Sequence, residues 1–427
     1  MQTEVLYSCF LRSSGINTDT RTLAAGQMFW ALKGENFNGN LFAENALKLG
    51  AAFVVTDEDC RISDKRILRV ENGLRGLQDL ARHHRQVWGG HVIAVCGSNG
   101  KTTTKELITK ALSAEKSVFA TPGNLNNHIG VPLSLLRINA QHEIAVIEMG
   151  ANHAGEIAEL CEIALPDSGL ITNIGKDHLE GFGTIENTAK SNAELFEFLE
   201  QNSGLAFINT EDEWNQKLQS LVSRNFTFPS ESDDATCKLL PSDFFVRLEI
   251  PEAGQMESKL LGTYNFHNLS CALAVSKFFG IQSQIALKAV CSYEPGNNRS
   301  QLVKTNSNTL ISDAYNANPS SVLAALENLA SLPSNGKMAI LGDMLELGND
   351  SVAEHASLGK WASLHAEISF VITGKEMAAF AEKCPAALYF AEKPDLEEYF
   401  RQKMPKNQTI LLKGSRGMKL ETLVPLL

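Results

Sequence analysis

The chain has 427 residues, 44% hydrophobic and 20% charged, with 31 glycines and 13 prolines, a globular profile that excludes a disordered, collagenous or coiled-coil protein. Lys and Arg number 38 against 49 Asp and Glu, a net charge of −11; without a basic stripe such a chain is not expected to bind nucleic acid, which requires phosphate neutralisation. No apolar run approaches the roughly 18 residues of a membrane span, and the opening MQTEVLYSCFLRSSG lacks the basic and apolar stretches of a signal peptide, so a cytoplasmic protein with no membrane partner is expected.

In chain order, the first 86 residues read as a small module of mixed character. A basic, glycine-containing stretch at Arg82–Gly90 then precedes a new strand. Apolar runs rich in β-formers follow at His91–Cys96, Ile144–Met149, Gly169–Ile174 and Leu205–Asn209, each succeeded by a helical pattern. Residues between Asn209 and Gly262 are weakly patterned and polar, and read as hairpins or insertions. The cluster Tyr293–Ser300 has the Pro, Gly and Asn content of a linker. A second set of runs occupies Leu310–Ala314, Met338–Gly342, Ile368–Thr373 and Thr409–Lys413. Continuous Val/Ile/Leu runs alternating with helices predict buried, mostly parallel strands covered on both faces. The expectation is an α/β protein of three domains, 1–86, 87–296 and 297–427. The eight cysteines include no CxxC pair and read as reduced residues rather than a disulfide framework or zinc site.

The strongest local signal is HVIAVCGSNGKTTTK at His91–Lys105. An apolar strand runs into Gly97, Ser98, Asn99, Gly100, Lys101, Thr102 and Thr103, and a helical pattern follows. Glycines let the backbone curl its N–H groups around an anion, the helix N-terminus adds positive potential, Lys101 adds a full charge, and the next hydroxyl suits Mg²⁺. The spacing is G-x-x-G-K-T, shorter than the common phosphate loop, because Val95 stands where its first glycine would fall. This predicts a bound nucleoside triphosphate without choosing between kinase, switch, hydrolase and ligase.

Glu148 stands one residue before the end of the run IAVIEM, where a carboxylate beside the phosphate loop is placed for Mg²⁺. His178 follows GLITNI at the same presumed sheet edge. The segment Thr121–Pro132 holds Asn124, Asn126 and Asn127, whose amides either cap their own turns or face a ligand.

At this point the sequence resembles the Mur ligase family, which extends the peptide stem of the peptidoglycan precursor. The segments that carry the resemblance are GSNGKTTTK at Gly97–Lys105, GNLNNHIGVP at Gly123–Pro132, EMGANHAGEI at Glu148–Ile157 and TNIGKDHLEGFG at Thr172–Gly183. It continues through GTYNFHN at Gly262–Asn268, DAYNANPSS at Asp313–Ser321, LGDMLELG at Leu341–Gly348 and LLKGSRG at Leu411–Gly417. TDTR at Thr18–Arg21 and the stretch Phe29–Ala51 are similar to the family's uridine-nucleotide domain. GANHxGEI, HLEGF and YNANP favour the branch that joins D-alanyl-D-alanine to UDP-N-acetylmuramoyl-tripeptide.

The resemblance implies an N-terminal UDP-binding domain, a central phosphate-loop ATPase domain and a C-terminal Rossmann-like domain. It implies that ATP binds at the loop with Lys101 on its phosphates, that Thr102 and Glu148 ligate one Mg²⁺, and that His178 ligates a second. Asn265 and Asn268 would meet the adenine, Asp313 the ribose and Arg299 the phosphates. Thr20, Arg21 and the loop from Gly34 would hold the UDP end, with Asn316 and Asn318 near the substrate and Lys413 and Arg416 as anion contacts. The reaction implied is amide formation through an acyl phosphate, by a monomer. Two positions depart from the family pattern. Asn192 stands fourteen residues after His178, where many members carry a carbamylated lysine, leaving Asn192, Glu194 or water to complete the second metal's shell. Tyr264 stands where a histidine is frequent. The alternatives are a relative adding a single diamino acid or glutamate, a nucleotide-dependent switch, and an inactive paralogue.

Overall fold

The computed structural model describes residues 2–296, 298–334 and 336–427. Three sheets form the frame. The N-terminal module has four short parallel strands in the order Ile16–Asn17, Met28–Trp30, Phe53–Thr56 and Ile67–Arg69. Its last helix, Gly73–Trp88, starts where the Asn72 side chain accepts from the Arg75 amide at 2.8 Å and stops at Gly89, whose φ of +68° a side chain would oppose. This helix binds the module to the next one. Arg85 donates to the carbonyls of Ala164 and Leu165, each at 3.1 Å, and pairs with Asp167 at 2.7 Å.

The central sheet has six strands, all parallel, in the order Asn225–Phe228, Leu205–Asn209, Ser168–Ile171, His91–Cys96, Ile144–Glu148 and Val118–Ala120. Its inner strands are buried along nearly their whole length, as expected when helices cover both faces. After His91–Cys96 the chain crosses to the edge strand Val118–Ala120, fills the gap with Ile144–Glu148, and then builds the other side. The carboxyl end of that strand is therefore the topological switch point, where ligands collect in such sheets. A three-stranded antiparallel sheet, Lys238–Leu240, Phe245–Ile250 and Gly254–Leu261, follows. The weakly patterned stretch thus yields the expected hairpins, and also the parallel edge strand Asn225–Phe228 that its polar character hid.

The C-terminal sheet orders Gln301–Lys304, Thr309–Ser312, Thr409–Lys413, Lys337–Gly342, Ile368–Thr373 and Leu388–Phe390, all parallel except the first. The architecture is α/β with mostly parallel sheets, as the alternating runs imply. Three strands end earlier than the apolar runs suggest, Ile144–Glu148 by the single residue Met149 and two others at the cleft. Ser168–Ile171 releases Asn173 and Ile174, and Thr309–Ser312 releases Asp313, so that these residues reach the cleft instead of the sheet, while Ala314 packs into the core of the C-terminal domain. All eight cysteines are free thiols, and all but Cys60 are buried. Among the described residues no helix is long and apolar enough to cross a membrane.

Candidate active site

The loop Gly97–Gly100 is shaped by close approach. Gly97 has φ +121°, and a Cβ there would lie 2.2 Å from Thr172 Oγ1; Gly100 has φ +81°, and a Cβ would meet Asn268 Oδ1 at 2.7 Å. Only glycine meets both demands. Asn173 braces the loop: its carbonyl accepts from the Ser98 amide at 2.8 Å, and its side chain exchanges bonds with the Asn99 backbone at 3.1 and 2.9 Å. The helix Lys101–Leu112 starts with no side-chain cap, so the amides of its first turn open on the cavity with the positive end of the helix dipole. Lys101 Nζ lies on the carbonyls of Gly97 and Ser98 at 2.6 and 3.0 Å, at the lip of the same loop.

Glu148 is the charge opposite. It is 2% exposed, and its Oε1 accepts from Thr102 Oγ1 at 3.1 Å and Asn126 Nδ2 at 2.9 Å. Its Oε2 is buried without a hydrogen-bond partner; the ammonium of Lys105, itself fully buried, lies 3.7 Å away and donates to the Thr121 carbonyl at 2.7 Å. An orphaned carboxylate oxygen beside a threonine hydroxyl is a donor set of hard oxygens. It fits Mg²⁺, which takes one or two protein oxygens and fills its shell with phosphate and water. Among the described residues no three His, Cys, Asp or Glu side chains converge on a ready-made metal site.

His178 faces the same cavity from a left-handed turn, φ +46°. Its Nδ1 is 2.5 Å from Glu346 Oε2, and its Nε2 is 3.7 Å from Asp177 Oδ1. Burial alone would lower the imidazole pKa, but the hydrogen bond to Glu346 and the charge of Asp177 outweigh it, and the net shift is upward. The bond from His178 pulls the Glu346 carboxyl below its ordinary range.

The cleft, about 500 Å³, is closed by the C-terminal domain, whose Arg299, Asp313, Tyr315, Asn316, Asn318 and Lys413 line it together with Lys101, Glu148 and His178. The Arg299 guanidinium stacks 3.6 Å from the centre of the Tyr315 ring. Asp313 pairs with Lys413 at 2.5 Å and accepts from the Ser300 amide at 2.9 Å. Asn316 contributes its carbonyl to Lys413 at 3.2 Å. Asn265 and Asn268 form a buried relay behind the loop, running from Thr104 Oγ1 to Asn268 Oδ1 at 3.0 Å, Asn268 to Asn265 at 2.8 Å, and Asn265 to the Leu261 carbonyl at 2.7 Å.

The three asparagines of the Thr121–Pro132 segment divide. Asn126 turns to Glu148, Asn127 Oδ1 accepts from the Ile129 and Gly130 amides at 3.2 and 2.9 Å, and Asn124 is exposed. Thr20, Arg21 and Gly34 lie outside this cavity, on the N-terminal module, where Arg21 pairs with Asp19 at 2.6 Å in open solvent. Asn192 turns back on its own helix, donating to the Thr188 carbonyl at 2.8 Å, while Glu194 accepts from the Gly155 and Ala158 amides at 2.7 and 2.9 Å. Both side chains are thus engaged in holding helices. Sequence reasoning assigned no role to Lys105, Asn173 or Glu346, although the first two adjoin the phosphate loop and Glu346 sits within the LGDMLELG segment.

Three family models match the chain: "Mur ligase family, catalytic domain" over 12–85, "Mur ligase middle domain" over 95–276 and "Mur ligase, glutamate ligase domain" over 298–416. The UDP-N-acetylmuramoyl-tripeptide–D-alanyl-D-alanine ligase of Bacillus subtilis is 36% identical over 96% of this chain and 92% of its own. A crystal structure of MurF from Acinetobacter baumannii superposes with a TM-score of 0.87 at 29% identity, covering 99% of this chain and 98% of that one. MurF from Thermotoga maritima in complex with ADP does so with a TM-score of 0.85 at 28% identity, covering 98% and 97%.

Proposed function

The chain belongs to the Mur ligase family, and from that premise we propose that it joins D-alanyl-D-alanine to UDP-N-acetylmuramoyl-tripeptide at the expense of ATP. The observation that carries the reading is the single cleft in which the phosphate loop, Glu148 and His178 of the central domain meet Arg299, Asp313 and Lys413 of the C-terminal domain. The relative from Bacillus subtilis carries this activity in its name.

The terminal carboxylate of the tripeptide attacks the γ-phosphorus of ATP; an O–P bond forms and the bond to ADP breaks. The amine of D-alanyl-D-alanine then attacks the acyl carbon, loses a proton and expels phosphate, leaving an amide. Phosphoryl transfer asks the protein for position and charge more than for covalent chemistry. The amides of Gly100–Thr103 and Lys101 hold the β- and γ-phosphates, Ser98 and Asn99 shape the loop, and Arg299 reaches the phosphates from the other domain. Asn265 and Asn268 face the adenine and Asp313 the ribose. Thr102 and Glu148 would hold one Mg²⁺ and His178 a second. A metal held by these residues would neutralise charge on the transferred phosphoryl group. Thr20, Arg21 and Gly34 hold the UDP end, and Asn124, Asn126, Asn127, Asn316 and Asn318 border the acceptor. Docking of the C-terminal domain excludes water from the acyl phosphate. We place the domain divisions at 86/87, within the last turn of the helix Gly73–Trp88, and at 296/297; the second falls on Asn297, outside the described residues. The enzyme acts as a cytoplasmic monomer on small-molecule substrates.

Mass spectrometry of products formed with MgATP and the UDP-linked acceptor tests the reading. A mass gain equal to D-alanyl-D-alanine is expected, and gain of a single diamino acid or of glutamate instead would refute it.

A further inference from the structure

Two residues outside glycine adopt left-handed backbone on either side of one contact: His178 at φ +46° and Glu346 at φ +65°. Such conformations are costly for residues with a Cβ and persist where the surrounding structure holds them, which makes a facing pair a pointer to function. The pair is tied twice. Glu346 Oε2 sits 2.5 Å from His178 Nδ1, and the Glu346 carbonyl accepts from the Glu180 amide at 3.0 Å. Glu346 comes from the C-terminal domain, beyond the strand Lys337–Gly342, whereas His178 belongs to the central domain.

We infer that Glu346 is a positioning residue which, when the C-terminal domain docks, fixes the ring and proton of His178 so that Nε2 is the nitrogen offered to a divalent cation. Two lone pairs repel at 2.5 Å, so an ionised Glu346 favours the tautomer with its proton on Nδ1. Nε2 is then left for the cavity, 3.7 Å from Asp177 Oδ1. A carboxylate behind a ligating imidazole both orients it and raises its basicity. Here that carboxylate is delivered by another domain, so the second cation site is complete only in the docked state. This also gives the site a support independent of Asn192, whose amide is engaged with Thr188. The inference rests on the proposed role of His178 as a Mg²⁺ ligand.

The test counts Mn²⁺ bound by the full chain in the presence of the non-hydrolysable analogue adenosine 5′-(β,γ-imido)triphosphate, by electron paramagnetic resonance. His178→Gln identifies the class of sites that depends on His178. Glu346→Ala is expected to weaken that class roughly 10–100-fold, and the isosteric Glu346→Gln several-fold, while the class that depends on Glu148 keeps its affinity. Selective ¹⁵N labelling of histidine should show the His178 nitrogen signals moving in both variants. An unchanged His178-dependent class in Glu346→Gln overturns the inference, as do equal weakening of both classes and the absence of any His178-dependent class in the wild type. No peptide substrate enters this measurement, so failure of the wild type to ligate D-alanyl-D-alanine would sink the proposed reaction separately.

Discussion

Asn318 of the C-terminal domain donates through one side-chain nitrogen to Asn99 Oδ1 of the phosphate loop at 2.9 Å and to Asp177 Oδ1 at 3.1 Å. The oxygen of the same amide accepts from the Ser321 amide at 2.8 Å, starting the helix Pro319–Ser331 in a capping box. One buried side chain therefore begins a helix in its own domain and fastens that domain to the nucleotide loop of another.

Its two duties are separable. Asn318→Ala loses both, and the cap alone is worth about 1 kcal/mol, so the melting temperature falls together with ATP affinity. Asn318→Asp keeps an acceptor for the cap but sets a second carboxylate against Asp177. Its ATP affinity should fall while its melting temperature stays nearer the wild type; equal losses of affinity and stability in the two variants would count against the docking role.

Gly100→Ala places a methyl 2.7 Å from Asn268 Oδ1 at a φ of +81°. Asn268 cannot step aside freely, because Thr104 and Asn265 hold it at both ends. The left-handed backbone adds roughly 1–2 kcal/mol for a residue with a Cβ. Calorimetric titration with MgADP should show at least about tenfold weaker binding, and affinity equal to the wild type would contradict the loop geometry.

Much of this site was legible in the sequence. His91–Cys96 is an unbroken apolar strand ending in glycines, and Glu148 and His178 follow neighbouring apolar runs, so a parallel sheet must carry all three to one edge. The contact of Glu346 across the domains was not legible. Glu346 meets His178 only because two domains dock, and no local periodicity encodes that docking. The bracing of the loop by Asn173 became visible only when its strand proved to end at Ile171. The edge strand Asn225–Phe228 escaped because three of its four residues are only half-buried, so its composition lacks a core strand's apolar signature.

Glu148→Gln retains an oxygen for Thr102 and Asn126 but turns an amide toward the Lys105 ammonium, donor against donor. The loss of a charged ligand should raise the Mg²⁺ concentration for half-maximal turnover roughly 10–100-fold. Turnover titrated against MgCl₂ at saturating ATP reads this directly, and an unshifted midpoint would remove Glu148 from the metal.

Acidification should loosen the fold. Burial lowers the pKa values of His84, His91 and His267, so between their folded values and the ordinary imidazole value near about 6.5 the unfolded chain binds more protons. Stability from these groups is complete above that ordinary value and is lost as pH falls toward the folded ones. His178, shifted upward, acts in the opposite sense. Thermal melting between pH 7.5 and 5 should show a falling midpoint, with a shallower slope in His84→Gln; a midpoint that rises on acidification would refute the assignment.

Phosphate release under MgATP and UDP-N-acetylmuramoyl-tripeptide, with and without D-alanyl-D-alanine, addresses the central claim most directly. Sustained release is predicted only when both substrates are present, and Lys101→Ala is predicted to abolish it by removing the charge at the γ-phosphate. Equal release without the dipeptide, or undiminished turnover in Lys101→Ala, would show that the loop delivers its phosphoryl group to water or does not handle it at all.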